Sequence, residues 1–159
     1  MYKFIFSVIL LFMIFIFPTS SYADDVLDRC DQYREQVVSL LESEEVDSNY
    51  FFLGVCESRC KLDAKSKSGS YGFFQVTKST YRKYRPEGCR IDDISDLRCN
   101  VIAAARYIKH LQKRFYTLNE VIYAYNMGGH NFERRGSPSS EAKGLVWCVN
   151  NRIKEDKNR

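Results

Sequence analysis

In the stretch "CNVIAAARYIKHLQKRF", Val101, Ala104, Ala105, Ile108, Leu111 and Phe115 recur at steps of three and four. A helix puts all six on one face, whereas a strand would scatter them over two. The same step runs along most of the chain. In "DRCDQYREQVVSLLESEE" it carries Cys30, Tyr33, Val37, Leu40 and Leu41, a second face for a core. The acidic "ESEEVDSN" ends that helix, and Asp47 or Ser48 is placed to cap a short apolar one, "NYFFLGVCES". Residues 61–71 turn to Lys, Ser, Gly and Asp, which reads as a surface loop. A short helix is expected around Ser79 and "TYRKY", stopped at Pro86. Asn119 can cap "EVIYAYN", with Gly128 and Gly129 at its end, and His130 then falls in a Gly-rich loop. After the loop "RRGSPSS", a last stripe passes through Leu145, Val149 and Ile153. No segment reads as a dependable strand, so the predicted class is all-α.

The N-terminus reads differently. Lys3 precedes "FIFSVILLFMIFIF", then Pro18 and small residues leading to "SYADD". A charged start, an apolar run of about fourteen residues and a small-x-small site describe a secretory signal peptide, residues 1–23, cut after Ala23. A membrane span needs roughly twenty apolar residues, so contact with the membrane is expected only through this segment. Residues 24–159 suffice for one domain. Six cysteines (Cys30, Cys56, Cys60, Cys89, Cys99, Cys148) lie in that part. An even number behind an export signal favours disulfides over zinc, whose ligand spacings are not matched. Cys56 and Cys60 are poor partners, since i and i+4 Cβ atoms on a helix stand about 6 Å apart. Six cysteines allow fifteen pairings, and nothing in the spacing chooses among them. The formal charge of +4, about +3 without the leader, is too near neutral to indicate nucleic acid. Basic groups such as "YRKYR" and Arg134-Arg135 read as solvated faces.

The chemistry-bearing residues are few. His110 and His130 have no nucleophile motif around them, and no phosphate loop, dinucleotide pattern or metal-binding helix is present in the sequence. Acid chemistry is left. Glu57 closes an apolar helix, and if Phe51, Phe52, Phe73 and Phe74 pack around it, its ionised form is disfavoured and its pKa rises toward neutrality. A carboxyl that keeps its proton near pH 7 is what a glycosidic oxygen needs in order to leave.

Glu57-Ser58 is followed by Ser66, "GSYGFFQV" with Gln75 eighteen positions after the glutamate, Thr80, "NVIAAARYI" from Asn100, and "AYNMGG" from Ala124. In order and interval this constellation resembles the soluble lytic transglycosylases, lysozyme-like enzymes that cleave bacterial peptidoglycan, and "EAKGLVWCV" is similar to their closing segment. The resemblance spans about Cys30 to Val149. Phe73-Phe74 stand where that family has Leu-Met and Ala104 where it has glycine, changes expected to enlarge the cleft wall at one spot.

The resemblance implies a lysozyme-like helical domain, with no metal or cofactor, acting as a single copy. It implies Glu57 as the acid and then the base in cleavage between N-acetylmuramic acid and N-acetylglucosamine. Gln75, Tyr125 and Asn126 would hold the sugar and orient Glu57, Ser66 would line the site, and Phe74 would offer an apolar face. It further implies a Cys30–Cys99 bridge, a peptidoglycan substrate outside the cytoplasm, in the periplasm or beyond, and service beside a secretion or conjugation apparatus. Both hydrolytic routes need a second carboxylate. From Glu57 to Asp92 the other acids are Asp63 and Glu87, in a loop and a turn. Attack by the muramic 6-hydroxyl, which needs none and gains from effective concentration, is therefore preferred. A lysozyme-type hydrolase and a non-catalytic wall-binding module are the alternatives.

Overall fold

The computed structural model describes residues 21–159, so the leader expected over residues 1–23 lies almost wholly outside the described part. Seven helices are present among the described residues: α1 (Ser21–Ser43), α2 (Phe51–Ser58), α3 (Lys78–Tyr84), α4 (Leu97–Gln112), α5 (Leu118–Met127), α6 (Gly129–Arg135) and α7 (Ser140–Lys157). The predicted all-α class holds. α4 runs through the middle, packed by α1, α3 and α5, while α7 lies over α2 and α5. Val101, Ala103, Ala104, Ala105 and Ile108 are all fully buried, and the run of alanines lets neighbouring helices approach α4 closely. Ala104 is thus a core residue and does not widen a cleft wall, contrary to the sequence expectation; Phe73 and Phe74 are fully buried as well.

Side chains set the helix starts. Asp47 accepts from the Asn49 amide at 2.7 Å ahead of a 3-10 turn, Ser48–Tyr50, that leads into α2. Asp96 and Ser139 do the same for α4 and α7. The cap of α5 is Thr117, in a reciprocal box with Glu120, and not Asn119 as expected. Gly128, at φ 80°, ends α5, but the chain re-enters a helix at once, so His130 lies on α6 and not in a loop.

One departure from pure helix matters for function. Ser70–Tyr71 (β1) and Val76–Thr77 (β2) pair antiparallel around the turn from Gly72 to Gln75. Two-residue strands carry no readable period, and this hairpin is held from outside. Asn100, fully buried on α4, donates to the carbonyls of Tyr71 (2.9 Å) and Ile94 (2.7 Å) and accepts from the Phe74 amide (2.8 Å). Gly72, at φ 75°, leaves the room this needs, since a Cβ there would stand 2.5 Å from the Asn100 amide nitrogen. On the other flank Gly54 lets the Phe73 ring lie against the α2 backbone, where a Cβ would come within 2.1 Å of it.

All six cysteines are bridged, as expected, but the Cys30–Cys99 pairing implied by the resemblance is not the one formed. The bridges are Cys30–Cys60, Cys56–Cys148 and Cys89–Cys99, with Cα atoms 5.3, 6.1 and 6.0 Å apart. Cys99 stands in the first turn of α4, bridged to Cys89 in the preceding loop. Cys30 faces the end of α2, where Arg59 and Cys60 turn back with positive φ.

Candidate active site

Glu57 occupies the last turn of α2, where Cys56 is fixed to Cys148 of α7 and Ser58 folds back onto the Gly54 carbonyl at 3.1 Å. The acid is thereby anchored on both sides. Tilted aromatic contacts join Phe51, Phe73 and Phe74 in the core, with centroids 6.0 and 5.3 Å apart. Glu57 keeps part of its surface open, yet burial of its carboxyl pushes the pKa up to about 7, and the negative charge of Glu141 pushes the same way. Its place at the negative end of a helix dipole acts in that direction too.

Tyr125 on α5 faces the same point. Its hydroxyl donates to the Phe74 carbonyl at 2.8 Å. Its pKa is raised well above the ordinary phenol value, by burial first and then by the charge of Glu57. Phe74 therefore meets the site through its backbone, its ring lying wholly in the core. Asn126, the next residue, lines a polar cleft of about 480 Å³ with Asn131, Arg134, Arg135, Ser139 and Glu141. Glu141, whose charge acts on Glu57, is part of that lining.

The other two sequence candidates work on the loop. Gln75 sits at φ 48°, rare for a residue with a side chain, and its amide donates to the carbonyls of Ala64 (3.1 Å) and Gly72 (2.9 Å). It ties the 61–71 loop to the hairpin turn. The Ser66 hydroxyl accepts from the Ser70 amide at 2.9 Å and pairs with Ser68. That closes a small loop. Two residues were missed from sequence: Asn100 as the pin of the hairpin, and Glu141 as a second carboxylate. Glu141 carried a signal, as it opens the segment similar to the family's closing block. Arg134 and Arg135, expected as solvated, also border the cleft. Asp63 and Glu87 are exposed, as their loop and turn positions suggested. Another cavity of about 460 Å³, crossed by the Arg34–Asp156 ion pair, shares no lining residue with that polar cleft. Among the described residues no cluster of His, Cys, Asp or Glu could hold a metal ion, and no helix is long and apolar enough to cross a membrane.

The transglycosylase SLT domain matches this chain over residues 41–147, from the end of α1 into α7, and so takes in Glu57, the hairpin, Tyr125, Asn126 and Glu141. The chain belongs to the transglycosylase SLT domain family. A comparison with curated proteins finds no match. SLT domains have the lysozyme-like fold, and the helical, disulfide-bridged architecture described above is of that kind. The family's activity is peptidoglycan cleavage of the transglycosylase type, a reaction performed outside the cytoplasm. Three disulfides fit that setting.

Proposed function

We propose that this SLT domain cleaves the β-1,4 bond between N-acetylmuramic acid and N-acetylglucosamine without water, leaving 1,6-anhydromuramic ends, with Glu57 as the one acid and base. The observation that carries the reading is a partly open carboxyl whose pKa of about 7 lets it give and take a proton at neutral pH. Glu57 protonates the glycosidic oxygen, and the bond from the muramic anomeric carbon to that oxygen breaks. The muramic 6-hydroxyl then bonds to the same carbon and returns its proton to Glu57. Atoms balance with no solvent molecule consumed. Tyr125, held by the Phe74 carbonyl, and Asn126 in the polar cleft orient the sugar. Gln75 and Ser66 support them by shaping the loop.

Glu141 supports a second reading. A carboxylate that acts on Glu57 through its charge could activate water, giving lysozyme-type hydrolysis with reducing ends. Digestion of purified sacculi, with products weighed by mass spectrometry, decides between them. Anhydro ends support the first reading, reducing ends the second, and absence of release would leave only a wall-binding module. The reading also includes export by the segment before Asp24, with cleavage after Ala23 in the first turn of α1. A wall-opening role beside a secretion or conjugation apparatus rests on resemblance alone.

A further inference from the structure

The cavity of about 460 Å³ crossed by the Arg34–Asp156 pair is built largely from parts of the chain that the SLT domain match leaves out. Asp31, Arg34, Glu35 and Val38 on α1 precede residue 41, and Asp156 on α7 follows residue 147. Val38, Phe51 and Phe52 give it an apolar lining. Arg34 is a fixed wall. Its guanidinium lies 5.0 and 5.3 Å from the centroids of the Phe51 and Phe52 rings and donates to both carboxylate oxygens of Asp156, at 2.6 and 3.1 Å. The cation in the lining is thus already neutralised, and an anion gains little there. Asp31 is shared between Arg34 and Arg159, at 3.4 and 3.5 Å. Glu35 is the uncommitted charge: it is exposed, and among the described residues it enters no ion pair.

The acidity continues beyond the cavity. Asp28, Asp31, Glu35 and Glu42 are all exposed and follow one another by three, four and seven positions, so they share one side of α1 with Val38 and extend over about 21 Å. Residues 24–60 hold ten acidic residues and three basic ones, so the surrounding chain does not cancel this stripe. A small cation would use only the cavity. A stripe of this length with an apolar hollow at its middle matches a polypeptide segment that carries cations on either side of an apolar residue. We infer that the cavity and the acidic side of α1 dock a basic amphipathic segment of a partner protein. An apolar side chain of that segment enters against Val38, Phe51 and Phe52, and its lysines or arginines meet Glu35 and the acids along α1. The contact uses none of the residues assigned to the reaction at Glu57, and it stands or falls without that reaction.

The probe is a helical peptide of about fourteen residues, the length of the stripe, with lysines and leucines along one side, titrated calorimetrically into the whole protein. Two control peptides replace its leucines by serine or its lysines by glutamate. The lysine–leucine peptide is expected to bind, the serine peptide at least about tenfold more weakly, and the glutamate peptide not at all. Glu35→Lys, which turns an attraction into a repulsion, should weaken the lysine–leucine peptide about tenfold or more, with Glu35→Gln between it and the wild type. Glu87→Lys makes the same change of charge at an exposed residue outside the cavity and its helix and should leave the affinity unchanged. Glu35 is exposed, so its variants keep the fold, which thermal unfolding checks. Equal weakening by Glu87→Lys would reduce the effect to net charge, and equal binding of the serine peptide would remove the cavity from it; either overturns the inference, as does absence of binding by the lysine–leucine peptide at millimolar concentration. Sedimentation of the protein alone covers the remaining occupant. A mass that doubles in the wild type and not in Glu35→Lys would assign the cavity to a second copy and overturn the partner.

Discussion

Glu57 holds its proton for reasons that its neighbours in sequence supply only in part. Burial of its carboxyl comes first, and the charge of Glu141 reaches it from the far end of the chain. Both disfavour the carboxylate, which fixes the signs of two predictions. Activity, measured as kcat/KM against pH, should fall as pH rises through about 7, since the free enzyme must carry the proton. Glu141→Gln removes a repulsion, lowers the Glu57 pKa and moves that limb to lower pH. If Glu141 were instead the base of a hydrolase, the variant would lose kcat at every pH. Glu57→Gln should cut product release on the order of 10³-fold. The same variant should be more stable at pH 8. Raised from 4.5 to about 7 on folding, the carboxyl costs nothing below pH 4.5 and progressively more as pH climbs to 7, in all about 3 kcal/mol. Denaturation of wild type and Glu57→Gln at pH 4 and pH 8 reads this directly, with a gap at the higher pH only.

At the scale of elements, the hairpin between α2 and α3 depends on partners from elsewhere. Asn100→Ala strands two carbonyls and one amide of that segment, and should cost roughly 3–5 kcal/mol in chemical denaturation. Gly54→Ala pushes a methyl into the Phe73 ring and should cost roughly 1–3 kcal/mol, with Phe73→Leu in the same chain recovering part of it. These dependencies explain what the sequence disclosed and what it did not. Cys30, Val37 and Leu41 on α1, and Val101, Ala104 and Ile108 on α4, announce their helices because each buries one regular face. Ser70–Tyr71 and Val76–Thr77 announce nothing, since pairs of two residues have no alternation to read. Phe74 was legible as an apolar member of the site, but its contribution by carbonyl to Tyr125 was not. Thr117 outcompeted Asn119 as a cap because Glu120 closes the reciprocal bond. Glu141 escaped because only the packing of α7 over α2 brings it near the acid.

For the whole molecule, the longest loop closed by a bridge is that of Cys56 and Cys148, separated by 92 positions. Loss of that link in a Cys56→Ala, Cys148→Ala protein should lower stability by about 4 kcal/mol, read by thermal or chemical denaturation. The Cys89–Cys99 bridge, spanning 10 positions, should cost less on the same measurement. The longer bridge also joins the helix whose last turn holds Glu57 to the helix whose first turn holds Glu141, so one covalent bond fixes both the position of the acid and the field around it. A thiol reductant in an assay buffer is consequently no neutral additive. It would release the two helices from one another, and with them the setting that keeps Glu57 protonated.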